Sequence, residues 1–161
     1  MTEEVLGLPE RTRAVADALE ALGATGRPSM LDSSARTAAE AAASLGVPVG
    51  AIANSLVFIA DGAPILVMTS GAHRVDTDAL ATRLGKSSIA RATPDEVRAA
   101  TGQVIGGVSP VGHPAPIETV VDEHLAEYPE LWAAAGDARA VFPTTFDELV
   151  RITNGTIAKV D

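Results

Sequence analysis

The 161-residue chain has no cysteine, which removes disulfides, cysteine–zinc sites and thiol catalysis together. Aromatic residues make up only 3% of it, too few for a stacking platform that holds single-stranded nucleic acid. Positive charge is scarce as well. Twelve Lys and Arg stand against 21 Asp and Glu, a formal charge of −9, which argues against a broad non-specific DNA or RNA surface. No apolar run approaches the ~18 residues that a membrane helix needs. The opening Met1-Thr2-Glu3-Glu4 is acidic where a secretory leader would be basic, so the expected location is the cytoplasm, with no membrane and no DNA as partner.

What the chain does have is a core. Apolar residues make up 47%, which excludes a disordered tail, and the length fits one domain over residues 1–161. Charge is spread unevenly. Between residues 117 and 148 the acids Glu118, Asp122, Glu123, Glu127, Glu130, Asp137, Asp147 and Glu148 face Arg139 alone. Between residues 74 and 98 the bases Arg74, Arg83, Lys86, Arg91 and Arg98 are in slight excess, and any polyanionic partner should approach there.

Turn and cap signals divide the chain into short elements. Pro9 suits the start of a helix that ends at Gly23 and shows Thr12, Val15, Leu19 and Leu22 on one face. Thr37-x-x-Glu40 opens a second helix, closed by Gly46 with Pro48 beyond. Apolar runs at 55–60 and 65–69 flank Asp61-Gly62, a hairpin signal, and their near-continuous hydrophobicity predicts cover on both faces. A helix at 78–84 and a strand at 87–91 follow. The box Thr93-Pro94-Asp95-Glu96 opens another helix, closed by Gly102. Strands are expected at 117–121, 131–135, 139–142 and 156–160, with a helix capped by Thr145 and Glu148. The sum is a single α/β (α+β) domain around a mixed sheet.

Chemistry has few places to sit. The segment 101–116 holds Gly102, Gly106, Gly107 and Gly112 together with Pro110, Pro114 and Pro116. Glycines let backbone amides approach a ligand and prolines keep them aimed, a combination that suits an amide nest; a stiff connector is the other reading. His113 lies in this loop, either touching a ligand or capping the loop itself. His73, His113 and His124 offer no i, i+2 or i, i+4 pair, so spacing gives no metal site. Ser70 ends a strand without a nucleophile elbow around it. Asp122, Glu123 and His124 read as solvated surface groups.

Three stretches together resemble a known family. The run from Thr37 to Pro48, then Ile52-Ala-Asn54-Ser-Leu-Val-Phe58, then Gly106-Gly-Val-Ser-Pro-Val-Gly112 are similar to the YbaK-type aminoacyl-tRNA deacylases. These are free-standing relatives of the editing domain in bacterial prolyl-tRNA synthetases. The likeness covers 28–161, with Val141 to Leu149 as its last strand and helix and 1–27 as an N-terminal helix. It implies a curved, mixed, largely antiparallel sheet flanked by helices, and metal- and cofactor-free hydrolysis of the ester on a mischarged tRNA. It also implies backbone amides of the glycine-rich loop as the working groups.

The candidate catalytic residues are then Asn54 and Gly107, with Gly106, Val108, Ser109, Pro110, His113 and Ser70 as substrate-binding candidates. The partner is the 3′ end of an aminoacyl-tRNA, with an aminoacyl-tRNA synthetase as a second candidate partner, and the chain a monomer or homodimer. The family carries lysine where this chain has Asn54. Asparagine keeps hydrogen-bonding atoms but loses the charge and the reach. Two readings follow: a deacylase acting in trans, or a non-catalytic module of the same fold that holds an aminoacyl-adenosine-like ligand or a protein.

Overall fold

The computed structural model describes residues 7–35 and 37–161. The acidic start, residues 1–6, and Arg36 lie outside the described residues. Helix α1 (Glu10–Ala21) follows Pro9 and sinks Thr12, Val15, Ala16 and Leu19 into the interior. Its exit is tied down by α5 (Phe146–Thr153). Glu148 there accepts from the Thr25 amide at 3.0 Å, and Arg151 donates to the Leu22 carbonyl at 2.6 Å. The N-terminal helix thus belongs to the same core as the rest.

The cap chemistry sets most boundaries. Thr37 accepts from the Glu40 amide to start α2 (Ala38–Leu45), which Gly46 ends at φ +69°. Asp76 starts α3 (Thr77–Leu84), ended by Gly85. Thr93 and Glu96 form a reciprocal capping box on α4 (Pro94–Thr101), with Pro94 in the first turn. Such caps satisfy amides that the helix cannot, at about 1 kcal/mol each.

Among the described residues eight strands form one mixed sheet. They are β1 (Ser29–Met30), β2 (Ile52–Ala60), β3 (Ala63–Ser70), β4 (Ile89–Arg91), β5 (Glu118–Asp122), β6 (Leu131–Ala134), β7 (Ala140–Thr144) and β8 (Thr156–Ala158). Their order is β1-β7-β6-β2-β3-β5-β8, with β4 also on β2. The β2–β3 hairpin turns on Asp61 and Gly62, both at positive φ. Strand β4 begins at Ile89 rather than at residue 87, because the amides of Ser87 and Ser88 donate to the Asp61 carboxylate instead of joining the ladder. The parallel pairs β2–β6, β3–β5 and β5–β8 link segments far apart in sequence.

The central hairpin is covered on both faces. Ala53, Val57, Leu66 and Met68 join the larger core beneath α1, α4 and α5, whereas Phe58, Ile65 and Val67 pack with Leu80 of α3. A third, smaller cluster holds Ala41 and Ala42 of α2 against Ile52, with Trp132 packed beside it. Among the described residues no helix is long and apolar enough to cross a membrane.

Candidate active site

Strand β2 has a full partner on one edge and a divided one on the other. It pairs with β3 from Ala53 to Ala60. On its far edge it runs parallel to β6 at Ile52 and Ala53, then antiparallel to β4 from Phe58 to Ala60. Residues 54–57 face no strand there, so the sheet forks. Only the Ala92 amide reaches across from the end of β4, donating to the Val57 carbonyl at 3.3 Å. The glycine-rich loop lies over this fork, with Val108 packed into the main core.

Three hollows meet at Asn54. The smallest, about 60 Å³, is walled by α2, β6 and β7 and lined by Ala38, Ala41, Ile52, Trp132, Ala140 and Asp137. Asp137 is the only charged side chain among its described lining residues. A second, about 170 Å³, is apolar, with Leu56, Val97 and Ile105 around it, and Arg91 at its rim. Gly106 and Val108 border both. The third is a groove of about 510 Å³ on the other face of the hairpin, where Asn54 and Thr69 meet His73, Arg74 and Arg91. Asn54 itself is half-buried, and its side chain has no hydrogen-bond partner among the described residues. A polar side chain left open at the junction of three hollows is free to serve a ligand.

The structure brings Asn54, Gly106 and Val108 together and sets the other sequence candidates apart. The Gly107 amide donates to the Val104 carbonyl at 3.0 Å, so it closes a turn rather than pointing at a ligand. A Cβ there would lie 2.9 Å from the Asp137 Cα, so glycine lets the loop rest against the β6–β7 turn. Ser109 is buried, its amide taken by the Gln103 side chain at 2.7 Å and its hydroxyl by the Val111 carbonyl. Pro110 and His113 line a different hollow, beside Leu22 and Ile152. His113 Nε2 meets the Ser109 carbonyl at 2.8 Å, so the ring caps its own loop. Burial holds its pKa below the ordinary 6.5, with the Ser109 carbonyl pulling partly the other way. Ser70 is fully buried and donates to the Gly50 carbonyl at 2.8 Å, away from the hollows.

Two surface expectations are corrected. Asp122 is 1% exposed. It accepts from the amides of Ser70 and His124, each at 3.0 Å, and from Thr69 Oγ1 at 3.4 Å, and pairs with His73 Nδ1 at 3.0 Å. His124 is half-buried, stacked on His73 with ring centroids 4.3 Å apart, and bonded to Glu127 at 2.7 Å. Among the described residues no group of three or more His, Asp or Glu is arranged to hold a metal ion. Sequence reasoning missed Asp137, Trp132 and Arg91 as wall residues. Only Asp137 carried a local signal, the Gly136-Asp137 turn, and tertiary pairing supplies the others.

Comparison with known proteins bears on this geometry. The sequence pattern of a family described as aminoacyl-tRNA editing domain matches residues 32–152. The chain is 37% identical over 109 residues to a proline–tRNA ligase of Nitratidesulfovibrio vulgaris, covering 68% of this chain and 17% of the ligase. It thus spans about a sixth of that relative's length. It is 26% identical over 125 residues to a candidate Cys-tRNA(Pro)/Cys-tRNA(Cys) deacylase of Enterococcus faecalis, covering 77% and 76% of the two chains. A crystal structure described as a candidate trans-editing enzyme for prolyl tRNA synthetase superposes with a TM-score of 0.91 and 41% identity. That match covers 96% of this chain and 99% of the other.

Proposed function

The chain belongs to the aminoacyl-tRNA editing domain family, and from that premise we propose that it hydrolyses the ester of a mischarged tRNA in trans, in the cavity beside Asn54. The carrying observation is the meeting of three differently shaped hollows at one unpartnered amide side chain. Three parts of an aminoacyl ester fit the two smaller hollows. The 60 Å³ hollow, the smallest of the three and walled largely by alanines, suits a small side chain. The carboxylate of Asp137 on its wall suits the α-ammonium group. The apolar hollow beside Ile105 suits the terminal base.

In this reading water attacks the ester carbonyl, and the carbon–oxygen bond to the ribose then breaks. One proton of the water ends on the departing ribose oxygen, the other passes to solvent, and the amino acid leaves as its carboxylate. Asn54 donates from Nδ2 to the ester or ribose oxygen and orients the water through Oδ1. The main-chain amides of Gly106 and Val108 stabilise the oxyanion. Gly106 sits at φ +92° with open space where a Cβ would be, which leaves its backbone accessible. Gly107 shapes this turn by its contact with Asp137 rather than by its own amide.

The test is release of amino acid from a panel of mischarged tRNAs, led by those carrying small side chains. No release above buffer for any of them refutes the reading. Asparagine in place of the family lysine favours a second reading, a binding module that keeps the cavity without catalysis. Asn54→Lys separates the two. A silent protein that gains esterase activity is a lapsed enzyme kept for binding, whereas an active protein weakened by the change is an adapted deacylase.

A further inference from the structure

Five of the eleven described Lys and Arg side chains are occupied. Lys86 pairs with Glu118 at 3.2 Å, Arg83 donates to the Lys159 and Asp161 carbonyls, and Arg27 and Arg151 bind carbonyls beside them. Arg139 lies 4.0 Å from Asp137. Arg74 and Arg91 are exposed, and neither has a hydrogen-bond or ion-pair partner among the described residues. Arg11, Arg13, Arg98 and Lys159 also have no side-chain partner among the described residues, but they line none of the three hollows.

Arg74 and Arg91 both line the 510 Å³ groove, one from the turn leading to α3 and the other from β4. Among the described residues none that lines that groove is acidic, in a protein with a net charge of −9. Its floor is Asn54, Leu56 and Phe58 of β2 with Thr69 of β3. His73 is held in its wall by the buried Asp122, so the wall is rigid. The groove therefore pairs local positive charge with polar floor atoms and runs to the position that joins all three hollows. Phosphodiesters meet these requirements, because arginine forks match phosphate oxygens and a groove wide enough for a nucleotide tracks a single strand.

We propose that this groove seats the single-stranded 3′ end of the RNA, with Arg74 and Arg91 holding the phosphodiesters that precede the terminal nucleoside at Asn54. The proposal rests on the deacylase reading for its substrate, but it is tested by binding alone. The probe is a labelled, uncharged RNA hairpin ending in a single-stranded CCA, titrated by fluorescence anisotropy against the full chain. Arg74→Ala/Arg91→Ala should weaken binding at least tenfold. It should also flatten the log–log salt slope by about 0.7 for each phosphate released. Arg11→Ala/Arg13→Ala, which removes the same charge from α1, should change affinity less than about threefold. The doubly substituted Arg74→Lys/Arg91→Lys chain should recover part of the loss, which a misfolded protein would not.

Equal losses from the two alanine pairs, or unaltered binding in the groove pair, overturn the proposal. So does a blunt hairpin whose affinity falls as far as that of the overhanging one when the groove arginines are removed, because the contacts would then lie on duplex. If the groove arginines govern binding and no mischarged tRNA is hydrolysed, the deacylase reading fails and the groove stands. If mischarged tRNA is hydrolysed and the groove variants bind RNA as the parent does, the groove fails and the deacylase reading stands.

Discussion

Asn54 and Thr69 face each other across the β2–β3 ladder, and the polar groups on the two sides of that rung have opposite fates. On the Thr69 side, the buried Asp122 gathers two backbone amides, a hydroxyl and an imidazole, so each carboxylate oxygen has partners. On the Asn54 side the residue borders three hollows, and its amide side chain has no partner among the described residues. The denser polar cluster is the one that holds the fold. A saturated network has no valence left for substrate, whereas an unpartnered group at a cavity is held ready for one.

That contrast can be tested by substitution, beginning with its larger side. Asp122→Ala strands His73 and the Ser70 and His124 amides, and should cost about 3 kcal/mol or more in urea unfolding. A loss below about 1 kcal/mol would mean that the cluster is not structural. Gly107→Ala drives a methyl against the Asp137 backbone at 2.9 Å, so about 1–3 kcal/mol of stability should go, with the Asp137 amide resonance shifted. Asn54→Ala should lower kcat/KM for deacylation at least tenfold, about 1.4 kcal/mol, while the urea midpoint stays within error. A parallel fall in stability would break the distinction between the two sides.

The smallest effect concerns pH. Because His113 has a folded pKa below 6.5, the unfolded chain takes up that proton first as pH falls through 6.5. Stability should therefore decline from there toward the folded value as the pH falls. His113→Gln should lose that part of the decline in paired melts above and below pH 6.5, and should leave the Asn54 cavity alone, since His113 lines another hollow.

How far each feature is legible in the sequence follows from the range of the interaction behind it. The caps at Thr37, Thr93 and Thr145 and the Asp61-Gly62 turn are local, so sequence signals place them within a residue or two. Strand β1 carries no such signal, because two residues, Ser29 and Met30, form a strand only through pairing with Val141 and Ala140 more than a hundred positions away. The parallel pairing of β2 with β6 is equally non-local, and it creates the fork. Asn54 is legible through family resemblance. Asp137 and Arg91 are not, because they reach the site on separate strands or turns. His113 and Ser109 look like ligand contacts because a glycine- and proline-rich loop resembles an amide nest, yet their donors are spent on holding the loop's own shape.

The forked edge of β2 also makes the molecule divisible in an engineering sense. The branch through β6, with α2 behind it, encloses the smallest hollow, and the branch through β4 carries the cationic bank. Each is written in its own stretch of chain, so the two kinds of discrimination can drift or be redesigned independently. If the proposed deacylase reading and the groove proposal both hold, widening the alanine wall at Ala38 or Ala41 should retune which residue is accepted without retuning the grip on the nucleic acid.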